Sequence, residues 1–126
     1  MSKDRLLVVD DEPIVRESMS AWLADEGWLV DTAEGGREAL EMARLHAYAA
    51  VLLDLRMPGV DGIETLRALR RLSPSLPVVM MTAQGDVATE AEVMQAGARD
   101  YVAKPFDPEE VCAALRAIVE SRKGVP

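Results

Sequence analysis

Hydrophobic positions fall in short blocks separated by longer mixed segments. The blocks are RLLVVD (5–10), WLVDTA (28–33), YAAVLLD (48–54), PVVMMTA (77–83) and DYVA (100–103). Three of them, at 6–9, 51–53 and 78–81, are apolar without interruption. A strand with one wet face alternates apolar and polar residues. Unbroken runs therefore predict strands covered on both faces, as in a parallel sheet flanked by helices. Between the blocks the spacing becomes helical. Val15, Met19, Trp22 and Leu23 share one face, Ile63, Leu66 and Leu69 another, and Val111, Ala114, Leu115 and Ile118 a third.

Punctuation supports these helices. Pro13 belongs in the first turn of helix one and Gly27 just past its end. Asp61 with Glu64 resembles a capping box for helix three, which Pro74 closes. Asp86 is expected to cap helix four and Gly97 to end it. Asp107-Pro108-Glu109-Glu110 reads as an N-cap, a first-turn proline and two acids favoured by the helix dipole. Five βα units in strict alternation predict an α/β fold: an open, doubly wound, mostly parallel sheet with helices on both faces. Functional residues of such sheets lie at the carboxyl ends of the strands. The tail SRKGVP reads as a helix end running into a linker, so the domain is expected over 1–122 and the tail over 123–126.

Composition narrows the setting. The chain has 126 residues, enough for one domain with a substantial core. No apolar run approaches the ~20 residues of a membrane span, and acids interrupt the apolar start MSKDRLLVVDDE, which excludes a signal-peptide reading. A single cysteine, Cys112, excludes an internal disulfide framework and suits the reducing cytoplasm. The net charge of -8 argues against direct nucleic-acid binding by this domain and suits a magnesium ion or a basic partner surface.

The strand ends carry the chemistry. Strand one ends in Asp10-Asp11-Glu12, strand three in Asp54, strand four in Thr82-Ala83 and strand five in Ala103-Lys104-Pro105. Two like charges ~4 Å apart repel by ~4 kcal/mol at an effective dielectric of 20. Such acids protonate or splay unless a cation joins them. All-oxygen ligands suit a hard divalent ion, magnesium before calcium. Lys104 can hold a phosphoryl oxygen or pair with Asp54, and Thr82 can donate to the same oxygen. A metal, a cation and a hydroxyl around one carboxylate are what phosphoryl transfer onto that carboxylate requires.

VVDDE, LLDLRMPGVDG, MMTA and DYVAKPF, in this order and spacing, resemble the motifs of two-component response-regulator receiver domains. The resemblance covers the chain from about Leu6 to about Val119. It implies a flavodoxin-like five-stranded sheet in the order 2-1-3-4-5. It makes Asp54 the phospho-acceptor, served by a histidine kinase or phosphotransfer protein. Asp11, Asp54 and the backbone carbonyl of Arg56 become the Mg²⁺ ligands, with Asp10 acting through metal-bound water and Mn²⁺ able to substitute. Lys104 becomes the phosphate-binding lysine, joined to Pro105 by a cis bond. Thr82 and Tyr101 become the switch pair. The face from helix four through strand five to helix five becomes the output and homodimerisation surface. Arg56 and Gln84, at variable positions two residues past Asp54 and Thr82, border the path of the hydrolytic water and bear on phosphoryl lifetime. The domain is not expected to be an enzyme beyond its own phosphorylation and dephosphorylation. TAQGDVATEA and AKPFDPEEV look like receivers fused to transcription regulators.

Each residue also has a plainer reading. Asp10-Asp11-Glu12 alone could be dipole-favoured acids at a helix start, and Tyr101 a packed aromatic. Asp61 is better explained as a cap than as a ligand. His46, with nothing to pair with, reads as a surface or helix-end residue. Met80, Met81 and Met94 read as core filler, Cys112 as packing, and Trp22 and Trp28 as packing on helix one and strand two. A haloacid-dehalogenase-type phosphatase would need an aspartate where Arg56 stands, and a flavin carrier a phosphate loop where the acids stand.

Overall fold

The computed structural model describes residues 4–57, 60–83, 87–104 and 107–123; the side chains of residues 56, 57, 60, 61, 83, 87–89, 104, 122 and 123 lie outside the described set. Five strands, β1 (Arg5–Val9), β2 (Leu29–Ala33), β3 (Ala50–Asp54), β4 (Val78–Ala83) and β5 (Asp100–Lys104), alternate with five helices. The helices are α1 (Pro13–Asp25), α2 (Gly36–Leu45), α3 (Gly62–Leu72), α4 (Val87–Gln95) and α5 (Pro108–Lys123). All neighbouring strands of the sheet run parallel, in the order β2-β1-β3-β4-β5.

The unbroken apolar runs occupy the places their pattern requires. Leu6–Val9, Val51–Leu53 and Val78–Met81 are fully buried. Leu7, Val9, Val51, Leu53 and Met80 face Ile63, Leu66 and Leu69 of α3 and Val93 of α4. The alternate residues Leu6, Val8, Leu52, Val79 and Met81 face Met19 and Leu23 of α1 and Val111, Leu115 and Ile118 of α5. Each strand thus serves two cores, which a polar residue at either parity would spoil.

Helix ends largely follow the punctuation. Pro13 opens α1, and Gly27 leaves it at φ +101, a conformation that β-carbon sterics make costly for other residues. Gly97 does the same after α4 at φ +110. The Asp107 carboxylate caps α5 by accepting the Glu109 N–H at 3.0 Å. Asp86 and the Asp61 side chain lie outside the described residues, so their capping roles do too.

Two expectations are corrected. Met94 is 42 % exposed and fills no core, because its neighbour Val93 takes the inward face of α4. His46 has a partner: its ring meets that of Tyr48 edge-on, centroids 6.1 Å apart at 69°. After Asp54, Arg56–Met57 and Val60–Asp61 pair as a short antiparallel ribbon before α3. Trp22 and Trp28 do pack against the α1–α5 core, and Cys112 is buried.

Candidate phosphoryl-acceptor site

Register gathers the acids. β1 and β3 are neighbours, paired up to Val9 and Leu53, so Asp10 and Asp54 stand side by side one residue further on. Asp54 pairs in turn with Met81 of β4, which brings Thr82 to the same edge, and Thr82 pairs with Ala103 of β5. Ala83 pairs with Lys104, placing the lysine backbone at that edge, while its side chain lies outside the described set. Asp10 is fully buried, Asp54 is 3 % exposed and Thr82 1 %.

Asp10 is fixed from three directions. Its N–H donates to the Ala33 carbonyl at 3.2 Å, and its Oδ1 accepts the Glu12 N–H at 3.0 Å. Its carbonyl accepts an Arg16 guanidinium N–H at 2.7 Å. These bonds hold the turn from β1 into α1 so that one carboxylate oxygen each of Asp10, Asp11 and Glu12 lies within 4.8 Å of the others. The acids do not cap α1: Glu12 occupies the N-cap position without a side-chain cap bond, and no acid lies in the first turn. Asp10, Asp11 and Glu12 all stand at or just before the N-terminus of α1, where the helix dipole also favours acids. Three clustered oxygens suit a hard divalent ion.

Thr82 Oγ1 donates to the Val102 carbonyl at 3.5 Å, the long end of hydrogen-bonding range and easily exchanged. Tyr101, half-buried on the α4 side of β5, engages Glu90 of α4. The Glu90 charge and its hydrogen bond to the phenol raise the Tyr101 pKa above the ordinary value. The Arg56 backbone belongs to the short ribbon and its side chain lies outside the described set, as does all of Gln84; Pro105, and with it the isomer of the Lys104–Pro105 bond, lies outside as well.

Two residues gain roles that spacing did not reveal: Arg16 ties the acidic cluster, Glu12 included, to α1, and Gly62 lets α3 start against Leu55, the residue after Asp54.

Comparison with known proteins matches this arrangement. Residues 6–116 match the family model described as the response regulator receiver domain. The chain is 43 % identical over 115 residues to the response regulator MprA of Mycolicibacterium vanbaalenii, covering 91 % of this chain and 50 % of that protein. It is 39 % identical to the transcriptional regulatory protein ResD of Bacillus subtilis, covering 94 % and 49 %. The chain therefore spans about half the length of these curated relatives. Among solved structures, the chemotaxis protein CheY4 of Vibrio cholerae superposes with a TM-score of 0.88 at 32 % identity, covering 93 % of this chain and 99 % of that one. With its 2-1-3-4-5 sheet and the acids gathered at its rim, this chain belongs to the response-regulator receiver family.

Proposed function

We propose that this protein is a phosphorelay switch in which Asp54 accepts a phosphoryl group, with Mg²⁺ at the acidic edge. Burial carries the reading: a carboxylate 3 % exposed, beside a fully buried Asp10, is expensive unless it has chemistry to do. The clustered oxygens of Asp10, Asp11 and Glu12 fit a divalent cation. Asp11, Asp54 and the Arg56 carbonyl would hold it, Asp10 through water. When bound, the ion neutralises the acids and the phosphoryl oxygens, and Mn²⁺ can substitute.

The side chains do the rest. An Asp54 oxygen forms the new bond to phosphorus as the bond to the partner's histidine nitrogen breaks. That nitrogen keeps the electron pair and takes a proton. Lys104 holds a phosphoryl oxygen as a point charge. The phosphoryl group adds ~1.5–2 negative charges, enough to draw Thr82 from its 3.5 Å bond to Val102. Tyr101 then leaves Glu90 and turns inward, shifting the α4–β5–α5 face used for output and homodimerisation. Arg56 and Gln84 tune the lifetime of the acyl phosphate.

Family membership implies a sensor histidine kinase or phosphotransfer protein as phosphodonor, and places the domain among signal-transduction proteins. The name of ResD supports transcriptional output through a further domain, with residues 1–122 as the receiver and 123–126 starting a linker. A net charge of -8 assigns any DNA contact to that further domain. A second reading is a stand-alone receiver acting by protein–protein interaction, in line with the likeness to the chemotaxis protein CheY4. Among the described residues no helix is long and apolar enough to cross a membrane, consistent with a cytoplasmic site of action.

The test is labelling with acetyl phosphate and Mg²⁺. One base-labile, acid-stable phosphoryl group should form, chelation should slow it greatly, and Asp54→Asn should abolish it. Labelling that persists in Asp54→Asn moves the acceptor elsewhere.

A further inference from the structure

We propose that Arg16 is a resident counter-cation of the acidic edge, tied to the backbone of Asp10 so that it offsets the acids' repulsion and weakens Mg²⁺ binding. The inference rests on the Mg²⁺ site proposed above and deepens it. Arg16 lies half-buried in the first turn of α1. Its guanidinium donates to the Asp10 carbonyl at 2.7 Å, a bond to a main-chain oxygen and not to a carboxylate. A positive charge is thereby fixed at the main chain of the turn that carries Asp10, Asp11 and Glu12, whose ligand oxygens lie within 4.8 Å of one another.

Removing the guanidinium has two opposed consequences. Losing the tie would loosen the turn and weaken metal binding, whereas losing the charge would deepen the negative potential and tighten it. The turn has other supports: Asp10 N–H on Ala33 at 3.2 Å, Glu12 N–H on Asp10 Oδ1 at 3.0 Å, and Arg16 N–H on the Glu12 carbonyl at 3.1 Å. These are independent of the Arg16 side chain, so its shape survives and the charge decides. Arg16 keeps the acids tolerable before the ion arrives and then competes with it.

Titration calorimetry of Mg²⁺ on the full chain, with Arg16→Met, Arg16→Gln and Arg16→Lys beside the parent, tests the role. Both neutral variants should bind roughly fivefold tighter, the gain shrinking as salt screens it. Arg16→Lys should stay near the parent. Without Mg²⁺ the neutral variants should melt several degrees lower, a loss that Mg²⁺ reverses. Equal or weaker Mg²⁺ binding by the neutral variants overturns the role, with Arg16→Gln supplying the answer should Arg16→Met fail to fold. A parent that takes up no Mg²⁺ overturns the metal site itself.

Discussion

Gly62→Ala should unfold the protein several degrees early and slow phosphorylation of Asp54. Gly62 begins α3, is buried, and donates its N–H to the Leu55 carbonyl at 3.2 Å. A Cβ built there would lie 2.7 Å from Leu55 Cα and 2.8 Å from its carbonyl carbon, and closer still to the carbonyl oxygen. Comfortable carbon–carbon contact is ~3.5–4.0 Å, so the overlap is roughly 1 Å. Backbone cannot swing aside as the tip of a side chain can, so relief requires α3 or the residue after Asp54 to move. Overpacking a core costs about 1–3 kcal/mol, and a backbone obstacle belongs at the upper end. Against it stands at most ~1 kcal/mol of helix propensity gained by alanine, less at a first helical position. The net loss of about 2 kcal/mol corresponds to roughly 6–10 °C in Tm for a domain of this size.

The displacement also reaches the chemistry. Leu55 is 8 % exposed, its N–H bonds the Met81 carbonyl at 3.1 Å, and it follows Asp54 directly. A shift of a few tenths of an ångström there moves the acceptor carboxylate, and misplacements approaching 1 Å can cost on the order of 100-fold in rate. Thermal denaturation by circular dichroism gives the stability. Acetyl phosphate labelling well below the transition, where the variant is fully folded, gives the rate. Gly35→Ala, with open space around the added methyl group, is the control and should lose less than about 1 kcal/mol, a capping effect. A Gly62→Ala protein that melts with the parent and labels as fast would refute the reasoning from close approach.

Two further expectations concern groups outside the acidic edge. Asp31 accepts bonds from Tyr48 Oη at 2.8 Å and from Arg5 at 3.0 Å. Burial alone would raise its carboxyl, but the Tyr48 hydroxyl and the Arg5 guanidinium outweigh it and hold the pKa below its ordinary 3.8. A depressed carboxyl stabilises the fold above its unfolded pKa and loses that contribution as pH falls through the folded one. Asp31→Asn should therefore flatten the loss of stability below about pH 4; acid unfolding profiles of equal slope would count against the network. Glu90→Gln removes the charge that raises the Tyr101 phenol, so phenolate absorbance should titrate at lower pH, and an unmoved titration would show that Glu90 does not hold the ring.

The sheet was legible because its three central strands are buried on both faces, which leaves runs such as Leu6–Val9 and Val78–Met81 no polar position to blur the period. Asp54 was legible for the same reason: a carboxylate ending Val51-Leu52-Leu53 breaks a pattern that otherwise admits none. What escaped was whatever depends on a second chain segment. Gly62 announces a turn in sequence, but its need for glycine comes from Leu55, seven residues earlier, crossing beneath it. Arg16 is one cation among many until the turn folds its guanidinium onto Asp10. Met94 was misjudged because apolar character says nothing about azimuth: successive helical residues stand ~100° apart, and Val93 already holds the inward face. The His46–Tyr48 ring contact is local, made within the short connection between α2 and β3, and a spacing of two residues did not disclose it.

The arrangement sets stability against readiness. Neighbouring strands lie ~4.8 Å apart, a separation at which two carboxylates repel by ~3.5 kcal/mol at an effective dielectric of 20. Asp10 and Asp54 stand on such neighbours, almost without solvent to screen them. The two apolar cores beneath the rim and bonds that grip main-chain atoms hold these carboxylates in place. Arg16 takes the Asp10 carbonyl, Ala33 takes the Asp10 N–H, and Leu55 is held by Met81 on one side and Gly62 on the other. On the proposed reading, rigid backbone around these carboxylates would let a removable cation, and later a phosphoryl group, decide the electrostatic balance of the edge.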